Sequence, residues 1–368
     1  MAINLAGVIF ANVGEYNIAD LTAKRTMASV PFGGKYRLID FTLSNMSNSG
    51  INNVALIARN HFHSLMDHVG SGKAWDLSKR RSGLTIFSPY GGHSFTKRIE
   101  AMYHLSGYFS QLKEEYLLLA TSNCVANIDY QQMFEEHLAS GADITLMYKN
   151  MEIPEKAYNP LVLKTDDSGK ITQLLINPEI SGECKFSTGA MIIKKELMMR
   201  LVHECVSTNA TDFRLNLLQD NVDKLDIRAY EFTGYQSLIY SINDYYKENM
   251  KLMDKSVRDE LFNSQRPIYT KVRDDAPSRY GLTSSVKNSL VAQGCYIDGN
   301  VEGSIISKGV RIENGAVVKN CIIMQDSKIS KDAKLENVII DKDVVITESR
   351  VLTGCETYPI YIEKQSIV

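Results

Sequence analysis

The chain has 368 residues, of which 44% are hydrophobic and 23% charged, with a formal net charge of −2. A chain of this length buries a substantial core and favours two domains over one. Its near-neutral balance excludes general nucleic-acid binding and an acidic disordered tail.

No apolar run approaches a membrane span, and the early run 6–11 is too short, and lacks the basic flank, for a signal peptide. The expected location is cytoplasmic. Six cysteines at 124, 184, 205, 295, 321 and 355 form no CxxC pair, so they read as free buried thiols in a reducing compartment.

In chain order, short apolar or β-rich runs at 5–10, 53–57, 116–120, 144–148 and 189–193 predict strands. Amphipathic stretches at 39–49, 97–111 and 130–139 predict helices between them. Such alternation implies an α/β domain with a mostly parallel, Rossmann-like sheet over 1–263. Its ligands are expected beyond the carboxyl ends of the strands, where the run 116–120 exits through Thr121, Ser122, Asn123 and Cys124.

Residues 264–287 carry Pro267, Pro277 and Gly281 and read as a linker. From 288 to 368 the helical period disappears. Aliphatic residues recur every five or six positions, at Val301, Ile306, Ile312, Val317, Ile323, Ile329, Leu335 and Ile340, with Gly, Asn, Asp, Lys and Ser between them. This rhythm predicts a parallel β-helix of hexapeptide-like repeats. Hexapeptide acyl transfer in its usual form needs a histidine base, and every histidine lies at or before His203, so that activity is excluded. The segment from Tyr358 to Ile362 is expected to cap the last coil, with contact to a partner as the alternative, and Trp75 to sit in a mobile Gly/Lys/Arg loop.

The run Phe32-Gly-Gly-Lys-Tyr-Arg-Leu-Ile-Asp-Phe41, continuing through Leu43-Ser-Asn45 and Asn48-Ser-Gly-Ile51, resembles the bacterial glucose-1-phosphate adenylyltransferase family. Further resemblances lie in Asp20-Leu-Thr22, Lys24-Arg25, Asp212-Phe213, Tyr245-Tyr-Lys-Glu-Asn249, Arg266-Pro-Ile268 and Asn288-Ser-Leu-Val291. The resemblance implies ADP-glucose and pyrophosphate formation from ATP and glucose 1-phosphate. That chemistry draws on a glycine-rich phosphate loop, cationic side chains, and Mg²⁺ held by aspartates.

Against that family's pattern, this chain departs wherever charge is required. The phosphate loop reads Asn12-Val-Gly-Glu-Tyr-Asn-Ile18, with Asn17 in the arginine position; Met27 replaces a lysine; Asn123 and Leu238 stand for the two metal aspartates; Asn177 replaces the sugar-phosphate lysine. Glu15, Asp129 and Asp244 are the nearest carboxylates able to substitute. No catalytic residue and no cofactor are therefore expected in this chain, and Mg²⁺ only at a catalytic partner.

The pattern is similar to the GlgD-type regulatory subunit, which implies a hetero-oligomer, a tetramer by resemblance, with a catalytic GlgC-type subunit. A homodimer of this chain alone is a second assembly the resemblance leaves open. Lys24, Arg25 and Arg37 match positions where the family binds anionic effectors, so a phosphometabolite site is one reading there, and solvated surface charge or an ion pair to the β-helix is the other. Asn177, Ser187 and Asp212 mark a degenerate sugar-phosphate pocket. An active nucleotidyltransferase with a rearranged metal site and a stand-alone sugar-phosphate sensor are the rival readings. Neither nucleic acid nor membrane is an expected partner.

Overall fold

The structure, a computed structural model, describes residues 3–13, 18–79, 82–89 and 96–368. Nine strands among these residues form one mixed sheet. Its parallel centre sets Leu5–Phe10 between Tyr116–Thr121 and Val54–Ile57, with Leu84–Phe87 outside the latter. Leu5–Phe10 is buried along its whole length, as expected of a central parallel strand covered on both faces. The long strand Cys184–Lys194 then runs antiparallel to Tyr116–Thr121 and carries Ile144–Met151 on its other side.

The helix Leu38–Asn48 follows from local signals. The Asp40 carboxylate accepts from the Arg37 backbone N–H at 2.9 Å, which satisfies an otherwise orphaned donor at the helix start. At its end the Ile51 N–H donates to the Met46 carbonyl at 3.0 Å. The amphipathic pattern at 97–111 is realised as two helices, Arg98–His104 and Ser106–Gln111, interrupted at Leu105.

Three parallel five-stranded sheets make the second region, the arrangement of a parallel β-helix. Its coils stack Val286 on Val301, Val318, Leu335 and Leu352. Val301, Ile306, Ile312, Ile323, Ile329, Leu335 and Ile340 are all buried. Val317 is the exception to the expected rhythm. Its neighbour Val318 is the buried residue, because the middle position of each three-residue strand faces inward and Val317 is a flanking one. The corner after these strands needs left-handed backbone, supplied by Asn288, Gly303, Asn320 and Asn337 with φ of 40°, 56°, 48° and 51°.

Two strands of the first coil, Arg279–Tyr280 and Ser285–Lys287, lie inside the range read as a linker, so the coil stack starts before residue 288. The segment expected as a cap is instead the strand Ile360–Ile362, which pairs parallel with Val338–Ile340 and extends the stack. Cysteines 124, 205, 295 and 321 are buried as expected, whereas Cys184 is half-buried and Cys355 exposed. Trp75 is not in a mobile loop environment: it is 1% exposed, in the turn Lys73–Trp75, with its ring edge-on to His68 at 5.9 Å.

The two regions share a core. Leu21, Met27, Phe32, Leu38 and Phe41 pack with Tyr245, Tyr246 and Leu252, and with Ile322, Met324 and Ile339 of the coils. Gly34, at φ +73°, lets the chain approach the coils so closely that a Cβ would lie 3.2 Å from the Ile305 Cγ2. Tyr246 donates its hydroxyl to the Asn320 carbonyl at 2.7 Å, tying a helix of the first region to a coil corner.

Candidate functional site

At the carboxyl ends of the central strands Asn123 and Leu238 lie side by side, Asn123 lining the cleft and Leu238 packed in the hydrophobic core. The strand Gln236–Leu238 pairs antiparallel with Cys124–Ala126, placing Leu238 opposite Cys124. One residue further, the Ile239 N–H donates to the Asn123 carbonyl at 3.0 Å, and the Asn123 side-chain amide donates back to the Ile239 carbonyl at 3.4 Å. Both positions are buried, Asn123 at 2% and Leu238 at 6% exposure. The two positions that the sequence pairs as metal sites thus meet in space, and they supply one amide and one aliphatic chain. Among the described residues, no group of three or more His, Cys, Asp or Glu is placed to hold a metal ion.

The substitute carboxylates are engaged elsewhere. Asp129 caps the helix Tyr130–Ser140 and forms an ion pair with Arg266 at 2.8 Å. Asp244 accepts from the Tyr240 backbone N–H at 3.2 Å in the first turn of Ile242–Met250. Asn17, Gly14 and Glu15 lie outside the described residues.

The cleft itself holds a cavity of only about 40 Å³, bordered by Arg98, Thr121, Asn123, Ser187, Thr188, Phe213, Arg214 and Tyr240. The Arg98 guanidinium lies over the Phe10 ring at 4.9 Å and the Phe213 ring at 5.7 Å. Burial and the nearby Arg214 charge push Arg98 down to about 9. Arg214 donates to the backbone carbonyls of Tyr158 and Asn159. Small-molecule pockets usually offer roughly 300–1,000 Å³, so the space enclosed by the described walls alone lies well below that range.

Of the expected sugar-pocket residues, only Ser187 lines this cavity. Asn177 is exposed, takes a left-handed φ of 52°, and donates to the Asn159 side chain at 2.9 Å. Asp212 is a cap, accepting from the backbone N–H groups of Arg214 and Leu215. Met27 is buried in the shared core of the two regions rather than at the cleft.

A larger cavity, about 320 Å³, opens at the junction of the two regions. Its lining carries Lys35, Arg37, Lys271, Arg273, Lys308 and Lys342 with the carboxylate of Asp67, and Arg273 is already paired with Asp275 at 2.8 Å and Asp326 at 3.3 Å. Of the three effector positions expected from the sequence, only Arg37 lines it. Arg25 instead pairs with Asp341 at 2.7 Å, both side chains almost fully enclosed, and the exposed Lys24 pairs with Glu363 at 2.9 Å. Arg37 donates to the Ser64 carbonyl at 2.6 Å and hydroxyl at 2.9 Å. Burial, against the attraction of Asp40, holds its guanidinium at about 10. His68 borders the same cavity, bonded to Asp40 at 2.6 Å; burial outweighs that carboxylate and holds the imidazole below its ordinary value.

The least compensated cation is Lys342. Its neighbour Asp341 is bonded to Arg25 at 2.7 Å and to the Tyr361 hydroxyl at 2.6 Å. Burial first, then the Arg37 and Arg25 charges, push the Lys342 ammonium down to about 7. Lys308 is also held below the ordinary lysine value, by burial and by Lys35 and Arg273. An enclosed cluster of like charges costs free energy unless an anion joins it, so the cavity is chemically suited to a compact, multiply charged oxyanion.

Sequence reasoning missed five of the six basic residues. Lys271 and Arg273 fell in the range read as a linker. Lys308, Gln325 and Lys342 sit on three successive turns of the solenoid, as the Asp326 N–H to Lys308 carbonyl and Asp343 N–H to Gln325 carbonyl bonds show. The constant spacing of 308, 325 and 342, each followed by a left-handed residue, was the available signal.

Comparison with known proteins gives matches over nearly the whole chain. The nucleotidyl transferase family matches residues 17–255, and the GlmU-like C-terminal hexapeptide family matches 271–356. Glycogen biosynthesis protein GlgD of Bacillus subtilis (strain 168) is 34% identical, over 98% of this chain and 96% of that protein. Glucose-1-phosphate adenylyltransferase of Fervidobacterium nodosum is 30% identical, over 96% of this chain and 85% of that protein. The enzyme of the same name from Geobacillus stearothermophilus is 32% identical, over 82% and 80%.

Proposed function

The chain belongs to the nucleotidyl transferase family of glycogen-biosynthesis proteins, and from that premise we propose that it is a regulatory subunit with little or no turnover of its own. In this reading it assembles with a catalytic GlgC-type adenylyltransferase and raises that partner's activity. The observation that carries the reading is the adjacency of Asn123 and Leu238 at the cleft. A resident Mg²⁺ in this family's chemistry needs anionic oxygens, and an amide beside a leucine is a poor donor set for a hard cation. The residues present do not fit the ion, so no catalytic step is assigned to this chain.

Losing a Lewis acid that contributes several kcal/mol depresses turnover by at least about 10³-fold. The small cavity bounded by the described walls, with the Arg98 guanidinium over the Phe10 and Phe213 rings, is in keeping with the same reading. Regulation needs differential contact: this subunit must bind the competent state of its partner more tightly than the idle one, and about 1–3 kcal/mol suffices for a 5- to 150-fold effect. The cation-lined junction cavity is the proposed receptor for an anionic effector of the phosphometabolite class.

The test is a turnover assay with ATP, glucose 1-phosphate and Mg²⁺ on this chain alone, on a GlgC-type subunit alone, and on the mixture. Co-elution with raised activity in the mixture is expected. Rapid pyrophosphate release by the isolated chain identifies an active enzyme with a rearranged site, and absence of any effect on the partner leaves a stand-alone sensor.

A further inference from the structure

We propose that the junction cavity takes up a proton together with its anion, and that Lys342 is the residue that receives it. The inference rests on the cavity's reading as an anion receptor and adds how that receptor responds to pH.

The geometry supplies the argument. Lys342 enters the cavity from a solenoid corner, one turn beyond Gln325 and two beyond Lys308. Around it lie Arg37 from the start of the helix Leu38–Asn48, Arg25 from the segment before it, and Lys364 from the end of the chain. His68 reaches the same cavity from the helix His63–Val69, Asp67 beside it, and Lys271 enters from the segment between the regions, donating to the Asp67 carbonyl at 2.7 Å. Asp341 is the carboxylate adjoining Lys342, and its two oxygens are spent on Arg25 and Tyr361. An ammonium placed there meets Arg37 and Lys364, beside an Arg25–Asp341 pair whose charges offset each other.

The empty cavity therefore favours the neutral amine, in keeping with a value near 7. An oxyanion seated among Lys308, Arg37 and Lys342 reverses the balance. It supplies the missing negative charge and a hydrogen-bond acceptor, both of which favour the ammonium. The step balances simply: the amine lone pair takes one proton from solvent, and no covalent bond of the ligand changes. A group that is neutral when the site is empty and charged when it is full makes affinity fall as pH rises above the empty-site value. His68 does not confuse this window, because its own shift is downward from the ordinary imidazole value.

Sulfate is the probe, since its charge is constant across the range. Titration calorimetry at about pH 8, in two buffers of different ionisation enthalpy, reads the protons taken up per sulfate bound. Uptake approaching one proton is expected, with affinity falling up to about tenfold per pH unit above neutrality. In Lys342→Met the uptake disappears and the affinity becomes flat with pH, while Lys308→Met keeps most of the uptake. A second reading needs no loss of fold: isotope-labelled methyl groups on the lysines, followed by NMR in the otherwise wild-type protein and assigned with Lys342→Gln, show Lys342 titrating higher with sulfate than without. Sulfate bound without a proton, or uptake that survives Lys342→Met, overturns the linkage and leaves the anion receptor standing. No sulfate binding at all overturns both. The regulatory role is read separately, by mixing with the GlgC-type subunit.

Discussion

Arg25 and Asp341 meet at 2.7 Å across the junction of the two regions, with side chains only 4% and 3% exposed. The pair is a buried polar contact between the sheet domain and the solenoid, and the Tyr361 hydroxyl donates to the same carboxylate from the strand Ile360–Ile362. Removing one partner strands the other in the interior. Arg25→Met is therefore expected to cost about 3–5 kcal/mol, whereas Arg25→Met with Asp341→Leu returns most of it. Urea unfolding of the two variants beside the parent checks the order. A single substitution without effect would contradict the buried geometry.

The cleft admits a restoration experiment. Asn123→Asp with Leu238→Asp places two carboxylates where the chain now holds an amide and a methyl-bearing side chain. Two adjacent buried carboxylates repel and are poorly solvated, so a loss of about 2–5 kcal/mol is expected without metal. Manganese or magnesium should then raise the melting temperature of the double variant and leave that of the parent unchanged. Equal metal responses would show that these positions do not adjoin a cation site.

In the junction cavity, Lys308→Gln removes one of the six basic side chains that line it without touching the buried Arg25–Asp341 pair. Sulfate affinity near neutral pH is expected to fall about tenfold, the equivalent of about 1.4 kcal/mol. The single tryptophan offers the readout. Trp75 is enclosed and edge-on to His68, which borders the cavity, so its emission should be blue-shifted, shielded from quenchers, and altered by sulfate.

Cysteine reactivity separates the thiols by environment. Cys355 is exposed and held below the ordinary thiol value, first by its contact with Thr357. Burial pushes Cys321 up to about 12 and Cys124 up to about 11. Because the thiolate is the nucleophile, a disulfide reagent at mildly alkaline pH should label Cys355 first and leave Cys124 and Cys321 untouched until unfolding. Mass mapping of the modified peptides decides the matter.

The sequence announced the sheet strands because central parallel strands are apolar on both faces, as Leu5–Phe10 is. It announced the solenoid through its repeat, but misplaced the start of the coil stack and the inward residue at 317, where two adjacent valines leave the register undecided. The cleft was legible as well: Asn123 and Leu238 lie 115 positions apart in the chain and are tied by the bonds around Ile239. The junction cavity was not. Its lysines come from four separated stretches, each unremarkable alone, and only tertiary packing gathers them. Lys24, Arg25 and Arg37 looked equivalent in the sequence, yet one is solvated, one is locked in an internal ion pair, and one faces the void.

The common core built from Met27, Phe41, Tyr245 and Met324 has a thermodynamic corollary. Neither half can melt without exposing apolar surface of the other, so calorimetry should show one cooperative endotherm rather than two. Anything wedged at the seam then acts as a strut for both halves at once, and a small anion gains leverage over a molecule many times its size.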